Sequence, residues 1–278
     1  MSDAGVMVDW DDAFANGAYI DGADAYPSVW AAAAGAYRAT ARVRLDLPYD
    51  AAPRARYDLF LPATAPRGLV VFVHGGYWLK FDKSTWSHLA AGSVAAGWAV
   101  ALPSYTLAPE ARISQITAQI ARAITAASAE VAGPILLAGH SAGGHLVTRM
   151  ACADGPLPPE VQARLGHVLS LSGLHDLRPL LATQMNAQLR LSADEAACES
   201  PALLDPAPGL RVTAWVGGHE RPEFLRQSAL LREAWARKGA DAHLVAEAGM
   251  HHFNVIDGLT RPDTALTRCL LGLPAPRI

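Results

Sequence analysis

Two hydrophobic rhythms alternate along most of this chain. "GLVVFVHG" is an unbroken apolar run ending in glycine, the pattern of a strand buried on both faces. "TWSHLAAGSVAAG" has helical spacing and closes on Gly97, and "WAVALPSY" is the next strand. "ISQITAQIARAITAASAEVAG" spaces its apolar residues for a long amphipathic helix. "PILLAGHSAGGHLVTRMA" gives a strand, a sharp turn and a helix. "GHVLSLSG", "RVTAWVGG" and "DAHLVAEAG" are further strands, with "PEFLRQSALLREAWARKG" and "DTALTRCLLG" as helices after the last two. Upstream, "RVRLDLPY" and "ARYDLFLP" alternate as opening strands of a sheet would. Strands and helices in turn imply a mostly parallel central sheet with helices on both faces, a three-layer α/β fold.

Residues 1 to about 40 break the rhythm. They are rich in alanine and carry Trp10, Phe14, Tyr19, Tyr26, Trp30 and Tyr37, as expected of an arm that packs over something else, the active site being one candidate. No repeat, low-complexity tract or Pro/Gly/Ser linker divides the chain, so all 278 residues are expected to form a single domain. About half the residues are apolar, enough for a sizeable core, and a net charge of −3 gives no electrostatic case for nucleic acid or an anionic membrane. The start "MSDAGVMVDWDDAF" is acidic where a signal peptide would be basic, and no apolar run is long enough to span a bilayer. Three widely separated cysteines outside any C-x-x-C spacing argue against a disulfide scaffold or a zinc site, which leaves the cytoplasm as the expected location.

The chemistry gathers where such sheets place their sites, at the carboxyl ends of the strands. "GHSAG", Gly139 to Gly143, fits G-x-S-x-G between a strand and a helix. The glycines flank a turn too sharp for neighbouring side chains, and the serine projects its hydroxyl beside a helix N-terminus. Ser141 is therefore the expected nucleophile. The lack of a following Lys and of G-x-G-x-x-G argues against a nucleotide-binding turn.

A serine of this kind needs an imidazole to accept its proton and a carboxylate to orient that imidazole, in the chain order serine, acid, histidine. His167 and His243 fall at strand starts, and His175 and His219 follow earlier strands. "GMHHFNVI" after the last strand remains, and His252 is favoured because Phe253, Val255 and Ile256 then open an apolar anchoring face. His251 takes a solvated or supporting place. Glu220, in "WVGGHERPEF", ends the strand before the last and is the favoured acid; Asp176, in "SGLHDLRPL", is the rival, with helix capping as its alternative role.

Charge that develops on an attacked carbonyl oxygen needs preorganised donors. The backbone N–H of Ala142 is one expected donor, and the loop His74-Gly75-Gly76-Tyr77 supplies others, Gly75 and Gly76 letting the backbone curl close without a Cβ. His74 precedes the serine and is expected to brace the loop. Tyr77, Trp78 and Asp176 are candidates for the pocket wall.

With "HGGYW" and "GHSAGG" together, the sequence resembles the α/β-hydrolase superfamily, in its kynurenine formamidase (arylformamidase) branch beside the hormone-sensitive-lipase-like esterases. "SGLHDLRPL", "TQMNAQLRLSADEAACESP", "PEFLRQS" and "HHFNVI" extend the resemblance over nearly the whole chain. It implies Ser141 as nucleophile and His252 as base, with Glu220 where formamidases commonly carry Asp. The expected activity is hydrolysis of a small acyl group from an aryl amide or ester through an acyl-enzyme, with no cofactor and no metal. A broad carboxylesterase with the same triad is the alternative, and a ligand-binding relative without catalysis a third. The expected partner is a small-molecule acyl substrate, with neither nucleic acid nor membrane; a homodimer stays open.

Overall fold

The computed structural model describes residues 8–274, so the first seven residues of the acidic start lie outside the described residues. Eight strands form one sheet in the order β1-β2-β4-β3-β5-β6-β7-β8. They are β1 Val43–Pro48, β2 Arg56–Phe60, β3 Leu69–Val73, β4 Ala99–Pro103, β5 Ile135–His140, β6 Leu165–Leu171, β7 Arg211–Gly217 and β8 Asp241–Glu247. β1 and β2 join as an antiparallel pair, β2 pairs antiparallel with β4, and from β4 to β8 every neighbour is parallel.

The runs that read as unbroken apolar segments occupy the middle of the sheet. β3, β4 and β5 are buried along their whole length, whereas β1 and β8 at the edges are partly exposed. Strand alternation then divides β3 between two cores: Leu69, Val71 and Val73 face one, Val70 and Phe72 the other. Ile113, Ile116, Ile120 and Ile124 of the helix Ile113–Glu130 fill the first, together with Phe224 and Trp235 of the helix Pro222–Arg237. Each such side chain contributes roughly 1.5–3 kcal/mol on burial. Trp30 of the helix Tyr26–Thr40 and Leu266 and Leu270 of the helix Ala265–Leu270 close the second.

The segment predicted as one helix after β3 is wound differently. Lys83–Ala90 is a 3-10 helix, started by Asp82 accepting from the Ser84 N–H at 2.9 Å, and only Ala91–Ala95 is α-helical. The arm folds as a short helix, Trp10–Ala13, two 3-10 turns and the helix Tyr26–Thr40. That last helix packs through Trp30 on Trp86, ring centroids 4.7 Å apart. The carboxyl ends of β3, β5, β6, β7 and β8 lie along one edge, and the segments that leave them build the site.

Candidate active site

β5 runs straight into Ser141, whose φ of 56° and ψ of −118° lie outside the regions open to ordinary residues. The strain is held by packing. A Cβ on Gly143 would lie 2.0 Å from the Val73 carbonyl oxygen, and one on Gly139 would lie 2.2 Å from the Gly143 carbonyl oxygen. Only glycine lets the turn nest this closely against the end of β3. The Ser141 side chain makes no capping bond to the helix Ala142–Met150 that it precedes, so its hydroxyl is not occupied by the helix it begins.

The loop after β3 is pressed against the same turn: a Cβ on Gly75 would meet the His140 carbonyl oxygen at 2.7 Å. Gly76, Tyr77 and Trp78 then take three successive positive φ values, 107°, 55° and 60°. Such a run curls the backbone so that its N–H groups face inward. Among the described residues, the N–H groups of Gly75, Gly76, Tyr77 and Ala142 meet no protein acceptor. His74 braces the loop, donating from Nδ1 to the Gly75 carbonyl at 2.8 Å while its ring stacks on Tyr105 at 4.4 Å. Burial lowers its pKa to about 4, so the ring is neutral.

After β8 the chain brings His252 beneath Phe224, ring centroids 4.6 Å apart, and its Nδ1 meets Glu220 Oε2 at 2.6 Å. Glu220 leaves β7 through a tight turn in which its Oε1 accepts from the Gly217 N–H at 2.8 Å. The same oxygen accepts from Ser172 Oγ at 2.5 Å, and Asn16 Nδ2 approaches Oε2 at 3.5 Å. His140, inside the "GHSAG" turn, donates from Nε2 to the His252 carbonyl at 2.9 Å. Burial, and then the neighbouring His252, push the His140 pKa well below its ordinary value, which keeps it neutral beside that ring. His251 turns the other way, its Nε2 meeting Tyr26 Oη of the arm at 3.2 Å.

Ser141 and His252 line one cavity of about 310 Å³, and Gly76 and Tyr77 line it too. Its walls are aromatic, with Trp30 from the arm, Phe81 and Trp86 from the segment after β3, and Phe253. The arm also contributes Gly17, Asp24 and Pro27. Concave, largely apolar spaces with a few convergent polar groups are where small molecules bind.

Two residues expected in the wall lie elsewhere. Trp78 is 0 % exposed and sits in the core, edge-on to His145 at 5.2 Å. The left-handed backbone through Gly76 and Tyr77 carries its side chain beneath the loop, away from the cavity. Asp176 is also absent from the lining, because Arg178 claims it: both carboxylate oxygens accept from the guanidinium at 2.9 Å, and Oδ1 takes the Arg178 N–H at 3.1 Å. Tyr77 does line the cavity, with its hydroxyl donated to the Phe14 carbonyl at 2.7 Å and burial raising its pKa to about 12. Two residues of the site gave no motif. Ser172 has as its one available signal a position directly after β6; Asn16 has none, lying 204 residues from the carboxylate it approaches.

The alpha/beta hydrolase family profile matches residues 70–272. The chain belongs to that family. It is 27% identical over 245 residues to the kynurenine formamidase of Danio rerio, covering 85% of this chain and 83% of that protein. It is 27% identical over 220 residues to the kynurenine formamidase of Drosophila melanogaster, covering 74% and 72%. A crystal structure from a Silicibacter species, of a protein given the provisional description of thioesterase, is 52% identical, with a TM-score of 0.91 over 95% of this chain and all of that one. The esterase of Pyrobaculum calidifontis shares the fold, with a TM-score of 0.70 at 17% identity and 90% of each chain covered.

Proposed function

We propose that this member of the family is a serine hydrolase that removes a small acyl group from an aryl amide or ester, in the manner of an arylformamidase. The observation that carries the proposal is the 2.6 Å contact between His252 and Glu220, made by a histidine that lines the same cavity as Ser141. Ser141 Oγ attacks the acyl carbon while His252 Nε2 takes its proton, and Glu220 holds Nδ1–H and stabilises the imidazolium that forms. The oxyanion meets the unclaimed N–H groups of Gly76, Tyr77 and Ala142, with Gly75 keeping their backbone close. Each such donor is worth roughly 2.7–4 kcal/mol in the transition state. Collapse expels the aryl amine or alcohol, protonated by His252, and water then attacks the acyl-enzyme by the same route.

The aromatic wall and the kynurenine formamidases among the relatives favour an aryl leaving group. The relative described provisionally as a thioesterase favours a second reading, an esterase or thioesterase of broader range. Turnover of N-formylkynurenine against p-nitrophenyl acetate and an acyl thioester separates the two, since a large preference for either ester overturns the formamidase reading. A fluorophosphonate should label Ser141 in the folded protein. Labelling at another residue, or none, overturns the mechanism.

A further inference from the structure

Glu220 is held by more than the histidine it orients. We infer that Ser172 and Asn16 are positioning residues for this carboxylate, which makes the N-terminal arm a working part of the active site as well as one wall of its cavity. Their role rests on that of Glu220 and His252 as acid and base.

Ser172 follows β6 with a φ of 50°, a costly conformation for a residue with a side chain. The Ser172 N–H donates to the Trp215 carbonyl at 2.7 Å, which fixes the residue between β6 and β7. Its hydroxyl then has a carboxylate oxygen at 2.5 Å, and both residues are buried. A charged acceptor makes this the stronger class of hydrogen bond. With the Gly217 N–H on the same oxygen, Oε1 is pinned, leaving Oε2 to face His252.

Asn16 closes the other side. It is 2 % exposed, its Oδ1 accepts from the Arg221 N–H at 3.0 Å, and its Nδ2 points to Oε2. One arm residue thus spans the turn that carries Glu220. The arm is anchored beside it by the Tyr77 hydroxyl on the Phe14 carbonyl, and by Phe14 set edge-on to Phe224, the ring that covers His252. The other titratable groups around the pair are His140 at the end of β5, His219 and His251 in the loops after β7 and β8, Tyr77, and the Arg221–Asp12 ion pair on the arm side.

Donors on a carboxylate spread its charge and weaken its hold on an adjacent imidazolium. Removing one concentrates the charge and strengthens that hold. The test is kcat/KM against pH for Ser172→Ala, Asn16→Ala and Asn16→Asp, with rates expressed per active site titrated by fluorophosphonate so that misfolded protein does not count. Ser172→Ala should lose about ten- to a hundredfold in kcat, the scale of a misplaced catalytic group. Asn16→Asp keeps the acceptor for Arg221 but sets a second carboxylate beside Glu220. Its acidic limb should move up by roughly one pH unit, and that of Asn16→Ala by less. Profiles that overlay the wild type per titrated site overturn the inference, and if Ser172→Ala does not fold, Asn16→Asp alone decides. Should Ser141→Ala or His252→Ala retain activity, the triad itself fails. Should those two be inactive while the Ser172 and Asn16 variants match wild type, only the positioning roles fail.

Discussion

Tyr77 and Phe14 are joined by one hydrogen bond of 2.7 Å, from a phenolic hydroxyl on the loop after β3 to a main-chain carbonyl in the arm. Tyr77→Phe removes the donor and leaves the buried Phe14 carbonyl with the Asn16 N–H as its remaining partner, at a cost of about 1 kcal/mol, or roughly 2–4 °C in Tm. The backbone N–H of residue 77 stays in place, so kcat should change by less than about threefold. A fall comparable to the loss of an oxyanion donor, on the order of a hundredfold, would mean that the hydroxyl itself reaches the substrate.

Glu220, the favoured acid, and Asp176, its rival, meet different partners. Glu220→Gln should lower kcat by on the order of ten thousandfold, because an amide favours the wrong imidazole tautomer. Asp176→Asn, which loses an ion pair to a half-exposed Arg178, should leave kcat within about twofold. Steady-state rates on one good ester substrate separate the two, and equal losses would contradict the assignment.

Gly143 and Gly35 mark the extremes of tolerance to a methyl group. Gly143→Ala forces a Cβ to within 2.0 Å of the Val73 carbonyl oxygen, so backbone must shift and more than about 4 kcal/mol of stability should be lost. Gly35, within the helix Tyr26–Thr40, has nothing within 4 Å of an added Cβ, and Gly35→Ala should gain about 0.5–1 kcal/mol. Urea midpoints for the two variants should move in opposite directions.

Buried histidines, His140 among them, make stability depend on pH. Burial lowers His74 and His167 to about 4 and His145 and His175 to about 3. Each is neutral in the folded protein but titrates near 6.5 when unfolded, so the unfolded chain binds more protons below that pH. Their contribution is complete above about pH 6.5 and declines as pH falls toward 4, with a limiting slope near 1.4 kcal/mol per pH unit for each histidine. The urea midpoint should therefore drop steadily between pH 7 and pH 5. A flat profile over that range would show that these rings are not held neutral.

Lys80 lines the cavity and forms no ion pair among the described residues, whereas Lys83 is bound to Asp46 and Asp58, and Lys238 to Asp205. If substrates carry a carboxylate, Lys80→Ala should reduce kcat/KM for them about two- to fivefold, as expected of a solvent-exposed charge pair. Neutral esters should be unaffected. Equal effects on charged and neutral substrates would assign Lys80 a role in shaping the loop.

The parts of the site written as local chemistry were legible. Gly139, Ser141 and Gly143 stand at a fixed spacing, and the paired histidines follow the last strand, because a sharp turn and a strand end each demand particular residues nearby in sequence. Glu220 could be ranked over Asp176 only by its place after the strand before the last; its contact with His252 depends on how two loops meet in space. The side-chain directions of Tyr77 and Trp78 were not legible. Neighbouring rings part company there because the backbone is left-handed at both, a property that no spacing pattern reports. Ser172 and Asn16 were silent for a related reason: each matters through one long-range partner.

The nesting of Gly143 against Val73 and of Gly75 against His140 has an evolutionary consequence. Such packing allows almost no exchange at that turn, while Gly17, Ala23, Asp24, Pro27 and Trp30 line the cavity without belonging to the sheet. New specificity is therefore to be sought in those arm positions that face the cavity, outside the packed glycine turn.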